Sequence, residues 1–277
     1  MNTTTLFEAP GPRGRRRHRV YEVASWVILA GAAYVVIRIL NKNGAFDAAA
    51  WQPFGLWGVW RQLGIGLLNN VRAAVVGMLL SMFFGCFLGW GLLSKRKMVR
   101  YPCRVFTEVF NSIPVLLLLF FISLVLPAWG LPLPDFWFLV VALSLYSTVV
   151  VGDLVRAGVQ ALPHGEAEAA AALGFSGFQS MRLILLPQAL RMMSPALVSQ
   201  MVIVLKGTTL AYVLGGYFEL LRAATVLGAY YSRSLLQAQG IAAITFMLIN
   251  IALSQIASAI DRKEKQRYGV QPVALDE

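Results

Sequence analysis

Apolar residues fall into six long runs along this chain, at 23–40, 66–93, 105–126, 136–155, 195–214 and 241–260, each bounded by polar or basic residues. About 20 mostly apolar residues in a helix match the roughly 30 Å hydrocarbon thickness of a bilayer. The pattern therefore predicts six membrane-spanning helices and an all-α integral membrane protein. The second run is long enough to tilt or to pass beyond the lipid. The fifth is interrupted by Lys206, Thr208 and Thr209. The first follows a basic stretch and contains small residues at 30–33, as a signal peptide would. Its apolar stretch continues to Leu40, longer than a signal core, so it is expected to remain as an additional N-terminal span.

Composition points the same way. Hydrophobic residues make up 58% of the chain and charged residues 13%, against about 45–50% and about 25% in soluble domains. The net charge of +11 raises nucleic-acid binding as a candidate, but the basic residues cluster between apolar runs, the pattern of membrane topology. Arg13, Arg15, Arg16, Arg17 and Arg19 precede the first run; Lys95, Arg96, Lys97, Arg100 and Arg104 lie between the second and third. Arg156, Arg182 and Arg191 flank or lie in the fourth–fifth connection, and Arg262, Lys263, Lys265 and Arg267 follow the sixth. These seventeen residues would share one side, against Lys42, Arg61, Arg222 and Arg233 on the other. That asymmetry predicts that both termini are cytoplasmic. The expected organisation is a basic tail at 1–21, an extra span at 22–40, an outer loop at 41–65, a transmembrane domain at 66–260 and a charged tail at 261–277. Trp51, Trp57 and Trp60 in the outer loop suit a lipid–water interface, and the prolines at 127, 132 and 134 mark a tight outer turn.

Residues that carry chemistry are sparse. Cys86 and Cys103 have no paired spacing, and His18 and His164 have no companions suited to a metal. There is neither a G-x-x-x-x-G-K-[ST] phosphate loop nor a G-x-S-x-G nucleophile elbow. No metal site or catalytic residue is expected, and any nucleotide must be handled by another chain.

The fourth–fifth connection, 161–190, is too long for a simple link between spans. Residues 166–173 are alanine-rich with Glu166 and Glu168 near the start, a good helix by propensity and by dipole. Gly174 is a natural stop. Ser176 is a natural N-cap for a second helix over 177–186, ending before Pro187. A short helix, a glycine turn and a second short helix make an elbow suited to a groove on a soluble partner. Ala169, Ala170, Ala171 and Ala172 would let that partner approach closely.

Glu168-Ala169-Ala170, Gly174 after three intervening residues, and Ile184-x-Leu186-Pro187 after nine more resemble the EAA loop of ATP-binding-cassette importer permeases, with every fixed position met. Further segments resemble the polar-amino-acid branch of that family: Phe110-Asn111-Ser112-Ile113-Pro114, Asp153-Leu154-Val155-Arg156-Ala157-Gly158, Leu186-Pro187-Gln188-Ala189-Leu190-Arg191 and Leu205-Lys206-Gly207-Thr208-Thr209-Leu210. The chain departs from that branch at Asp153, where Glu is frequent, at Leu118, where Gln is frequent, and at Gly207, where Asp or Asn is frequent. The resemblance covers roughly 66–260 and implies a five-span core in the bacterial inner membrane. It implies docking of the elbow on a separate ATPase dimer, which binds the ATP and magnesium. It also implies pairing with a second permease, identical or related, and delivery of solute by an extracytoplasmic binding protein. The solute it implies is a polar amino acid, with glutamate, aspartate or glutamine the first choice.

On that resemblance Glu168, Ala169, Ala170, Gly174, Ile184, Leu186 and Pro187 couple the permease to the ATPase. Candidate pathway residues are Lys206, Thr208, Thr209, Asn111, Ser112 and Arg72. Each has a plainer reading beside it. Glu168 can be a solvated helix-start charge, and Lys206 and Arg72 can be snorkelling side chains. Thr208 and Thr209 can hydrogen-bond back to their own helix. Asp153 and Arg156 share a helix face and suit a local ion pair or a brace for the elbow. A self-sufficient secondary transporter or channel would instead need coupling carboxylates in mid-membrane, and Asp153 near a span end comes nearest. Another small solute, or a scaffold or sensor without transport, are the remaining alternatives.

Overall fold

A computed structural model describes residues 12–268. Side chains at 12–19, 164, 261 and 263–268 lie outside the described set, and so do the expectations placed on the tail arginines 13–19, on His18 and His164, and on Lys263, Lys265 and Arg267. Every regular element among the described residues is helical. Among the described residues five helices are long and apolar enough to cross a membrane: Val20–Lys42 (within α1, Pro12–Lys42), Trp57–Leu93 (α3), Asp135–Gln160 (α6), Ser194–Leu214 (α10, Ser194–Gly207, with a following 3₁₀ segment) and Leu235–Ile260 (within α12, Leu235–Tyr268).

The expected third span is not one helix. α4 (Lys97–Ser112) and α5 (Val115–Ala128) meet at 104°. Pro114 causes the break: it has no N–H to donate and it forces the preceding residue out of the helical region. Ile113 is accordingly extended, at φ −91° and ψ 121°. α4 carries Lys97, Arg100, Arg104 and Glu108 and buries no residue fully, so its charged face is unsuited to hydrocarbon. Its other face packs Cys103, Phe106 and Phe110 onto Leu88, Leu92 and Val149. The 14 residues of α5 span about 21 Å, short of the roughly 30 Å hydrocarbon core.

The outer loop is also shorter than expected, because α3 begins at Trp57 rather than at Gly66. Before it lie α2 (Ala48–Trp51) and a 3₁₀ turn; Trp51, Trp57 and Trp60 stay exposed, while the Trp51 indole N–H donates to the Ala45 carbonyl (3.0 Å) and that of Trp60, in the first turn of α3, to the Phe54 carbonyl (2.7 Å). Beyond α5 the chain turns at Gly130, as the prolines foretold, with Leu131 N–H donating to the Leu126 carbonyl. α1 is exposed from Val20 to Ile39 and lies outside the packed core.

That core is organised by α3 against α6. Leu119 of α5, Leu139, Val140 and Val151 of α6 and Val204 of α10 are completely or almost completely buried beside Ala73 and Ala74 of α3. Gly85 and Gly89 let the two long helices meet backbone to backbone: a Cβ at Gly89 would lie 2.7 Å from the Gly152 carbonyl. Backbone cannot yield as a side-chain tip can. Gly89→Ala should therefore destabilise the purified chain by about 1–3 kcal/mol, the usual cost of overpacking, read as an earlier thermal unfolding transition in detergent.

Candidate functional site

The elbow forms as two locally specified helices with one unexpected turn. α7 (His164–Ala172) follows Pro163 and has Glu166 in its first turn, where a carboxylate favours the helix dipole. Its end is a left-handed glycine cap. Gly174 sits at φ +79°, its N–H donates to Ala171 O, and Phe175 N–H donates to Ala170 O. The two bonds satisfy carbonyls the helix would leave open. Ser176 then caps α8 (Gly177–Ser180) in a reciprocal box, its hydroxyl accepting from Gln179 N–H while the Gln179 side chain accepts from Ser176 N–H at 2.9 Å.

The second helix does not stop before Pro187. A π turn over Met181–Leu185, in which Leu186 N–H reaches back to Met181 O, leads into α9 (Leu186–Met192). Pro187 falls in the first turn of α9, where its missing N–H has no intrahelical partner to lose. The wider turn thus converts an expected terminus into a continuation. Gln188 in turn donates to Glu166 at 3.0 Å and ties α9 to α7.

This folding sorts the expected coupling residues. Glu168 and Ala169 are exposed, as is Pro187; Ile184 and Leu186 are half-buried, and Leu186 packs on the main core. Ala170 is buried, 1% exposed, so it holds the elbow together instead of meeting a partner. Leu173, next to the glycine cap, is 76% exposed. This leucine joins Glu168 and Ala169 on the free surface, as Phe178 and Leu183 do further along the elbow, and its place beside the stop glycine was the signal for it in the sequence.

Lys206 and Thr209 line an open groove of about 770 Å³ between α10 and α12, with Asn250, Ser254, Ser258 and Arg262 on the facing helix. The polar stripe on α12 lies mostly within an apolar run of the sequence, and its only signal there is a spacing of four, that of one helix face. Asn250 is 9% exposed and its Oδ1 has no hydrogen-bond partner. Thr209 donates to the Lys206 carbonyl. Thr208 is fully buried instead, donating to Leu205 O and accepting from Asn70 at 2.8 Å. Arg72, Asn111 and Ser112 are exposed and do not line this groove. Ser112 donates to the Glu108 carbonyl of its own helix. Asp153 and Arg156 form no ion pair; among the described residues the one such pair is Arg104–Glu108.

A third cluster lies where the 3₁₀ segment Thr208–Leu214 turns into α11 (Leu220–Tyr230). Asn70 of α3 donates to Thr208 and accepts from Leu220 N–H at 2.9 Å. Asn69 donates to Phe218 O, and the Tyr217 hydroxyl donates to Asn69 O. Glu219 is fully buried and caps α11 by accepting from Leu221 and Arg222 N–H. Burial pushes its carboxyl above the usual range, against the pull of those two N–H groups, the Asn70 amide and the Arg222 charge. Burial likewise raises the Tyr217 phenol to about 12, opposed by Arg72, which the fold brings close to it, and reinforced by Glu219. The sequence signal was two adjacent amides inside an apolar run, costly to leave unpaired there.

Against known families, residues 77–266 match the model described as binding-protein-dependent transport system inner membrane component. The chain belongs to this family. The matched region runs from the middle of α3 into α12, contains the elbow and the α10–α12 groove, and leaves out α1. Among relatives of this permease, the glutamate transport system permease protein GluD of Corynebacterium glutamicum is 36% identical over 229 residues, 81% of this chain and 83% of its own length. The probable glutamine ABC transporter permease protein GlnP of Bacillus subtilis is 30% identical over 205 residues, 72% of this chain and 92% of that protein. The crystal structure of an amino acid ABC transporter with histidines contains a chain that superposes with a TM-score of 0.65 at 26% identity, covering 73% of this permease and 94% of that chain.

Proposed function

We propose that this permease forms half of an inward pathway for a polar amino acid, glutamate first and aspartate or glutamine next, driven by a separate ATPase that docks on the elbow. The observation that carries the reading is the elbow itself. Its two helices are locked from within by Ala170, the glycine cap and the Glu166–Gln188 bond, while Glu168, Ala169 and Leu173 stay free. A rigid element with an unfilled face transmits motion, whereas a loose loop absorbs it. Both termini and the elbow face the cytoplasm in this reading, in keeping with the basic residues on that side. The open α10–α12 groove faces a second permease, identical or related, so that two grooves enclose one path. A binding protein delivers the solute from outside, and ATP and magnesium stay with the ATPase.

The glutamate preference rests on two supports: the names of the relatives, and a groove that pairs a lysine with hydroxyl and amide groups. Its volume lies within the range of about 300–1,000 Å³ common to small-molecule sites. Lys206 offers an ammonium to a carboxylate, and the hydroxyls of Thr209, Ser254 and Ser258 line the same groove.

The test is reconstitution of the permease with its ATPase and binding protein in liposomes. ATP-dependent accumulation of glutamate is expected; uptake driven by an ion gradient without ATP would reject the reading. Lys206→Gln should lower the initial rate of glutamate uptake by about tenfold or more, the range set by losing one hydrogen bond to a charged group. An unchanged rate would remove Lys206 from the pathway.

A further inference from the structure

A second cavity, of about 540 Å³, opens between α3 and the elbow. Met82, Phe83, Cys86 and Trp90 form its wall on α3, and Phe178 and Arg182 its wall on the elbow. Trp90 and Phe178 touch at one side, ring centroids 5.1 Å apart. The lining is apolar except for Arg182, which is exposed and makes no hydrogen bond or ion pair among the described residues. Lys95, Arg96 and Lys97 follow the end of the same helix, likewise exposed and unpaired.

We propose that this cavity holds an anionic phospholipid of the bilayer, with acyl chain against Phe83 and Trp90 and phosphate at Arg182. Two properties select that occupant. An apolar slot on the flank of a membrane helix is filled by hydrocarbon, and a cation at its mouth without a protein partner calls for an anion; a phospholipid with net negative charge supplies both in one molecule. Basic pockets between membrane helices on the cytoplasmic side bind acidic headgroups for this reason. A zwitterionic lipid fills the slot but brings an ammonium group near Arg182 and the three residues at 95–97. Because one wall is the elbow, a bound lipid braces the elbow against α3, and the charge of the surrounding leaflet becomes an input to coupling. The site depends on the chain lying in a membrane and is independent of which solute is carried.

The two cysteines provide the test, since Cys86 lines this cavity and Cys103 a separate groove between α3, α4 and α6. The full chain in detergent is given dioleoylphosphatidylglycerol, dioleoylphosphatidylcholine or glycerophosphate. Alkylation of each thiol by N-ethylmaleimide is then followed by peptide mass spectrometry. Phosphatidylglycerol should slow the reaction of Cys86 about fivefold more than phosphatidylcholine does, the weight of roughly one basic residue beside an anionic surface. Cys103 should show no headgroup preference, and glycerophosphate alone should protect neither thiol. Arg182→Gln should abolish the preference, Arg182→Lys should keep it, and Arg233→Gln, in the loop before α12, should leave it intact. Equal protection by the two lipids, protection that survives Arg182→Gln, or protection by the free headgroup would each overturn the proposal.

Discussion

Gly174→Pro is expected to reduce ATP-driven uptake in reconstituted liposomes by about tenfold or more, the kinetic equivalent of roughly 1.4 kcal/mol, while the chain still inserts in the membrane. Gly174 stands at φ +79°, and a proline ring holds φ near −65°. The substitution also deletes the N–H that donates to Ala171 O. The glycine cap then cannot form, and α8 leaves α7 at another angle. Gly174→Ala is the graded control: an ordinary residue in the left-handed region costs about 1–2 kcal/mol, so it should weaken coupling without abolishing it. Nothing lies within 4 Å of a Cβ built at Gly174, so the penalty is conformational and not steric crowding. Glu168→Lys attacks the same function from the surface. Glu168 is exposed and its side chain has no partner among the described residues, so the elbow should keep its shape while the charge offered to the ATPase is reversed. ATP turnover stimulated by the binding protein, measured beside uptake, separates loss of docking from loss of folding. Wild-type uptake by the doubly substituted permease would reject the coupling role.

Asn70→Leu should lower the stability of the purified permease by about 2–4 kcal/mol, from a lost hydrogen bond together with a buried donor left unsatisfied. Hydrogen bonds between membrane helices average only about 0.6 kcal/mol, because a separated pair finds other partners. Asn70 differs in bonding the backbone N–H of Leu220, the first residue of α11, in a position no water reaches. Val59 and Leu63 of α3 pack on Leu220, Ala223 and Leu227 just beyond it, so loosening the bond also loosens that small core. Gly66 allows the approach: a Cβ there would lie 2.9 Å from the Glu219 carbonyl and from Leu220 Cα. Thermal unfolding in detergent, followed by size-exclusion recovery, gives the measurement. A melting temperature equal to wild type would show that the amide does not hold α11 against α3.

The elbow was legible in detail because its signals are short-range. Ser176 and Gln179 are three residues apart, and the stop glycine lies two residues beyond the last residue of α7. The π turn was not legible, because Pro187 alone is a helix breaker; only a widened turn upstream makes it a helix start. In the same way Ile113-Pro114 lies inside one apolar run of the sequence, whereas in three dimensions it divides an amphipathic α4 from a short α5. Run length alone cannot distinguish a straight span from two helices at a large angle when both halves have an apolar face.

By itself the sequence determined that the chain crosses lipid, roughly where it does so, and where a capped helical elbow interrupts the spans. Each of these depends on residues within a few turns of one another, through hydrophobic run length, charge clusters and capping groups. Tertiary structure alone decided that Thr208 is sealed against Asn70 across 138 residues of chain, that Leu220 is held by the same amide across 150, and that Lys206 instead opens onto the polar face of α12. Helix periodicity specifies which residues share a face, but which faces meet is settled by close packing and by the need to pair every polar group that lipid surrounds.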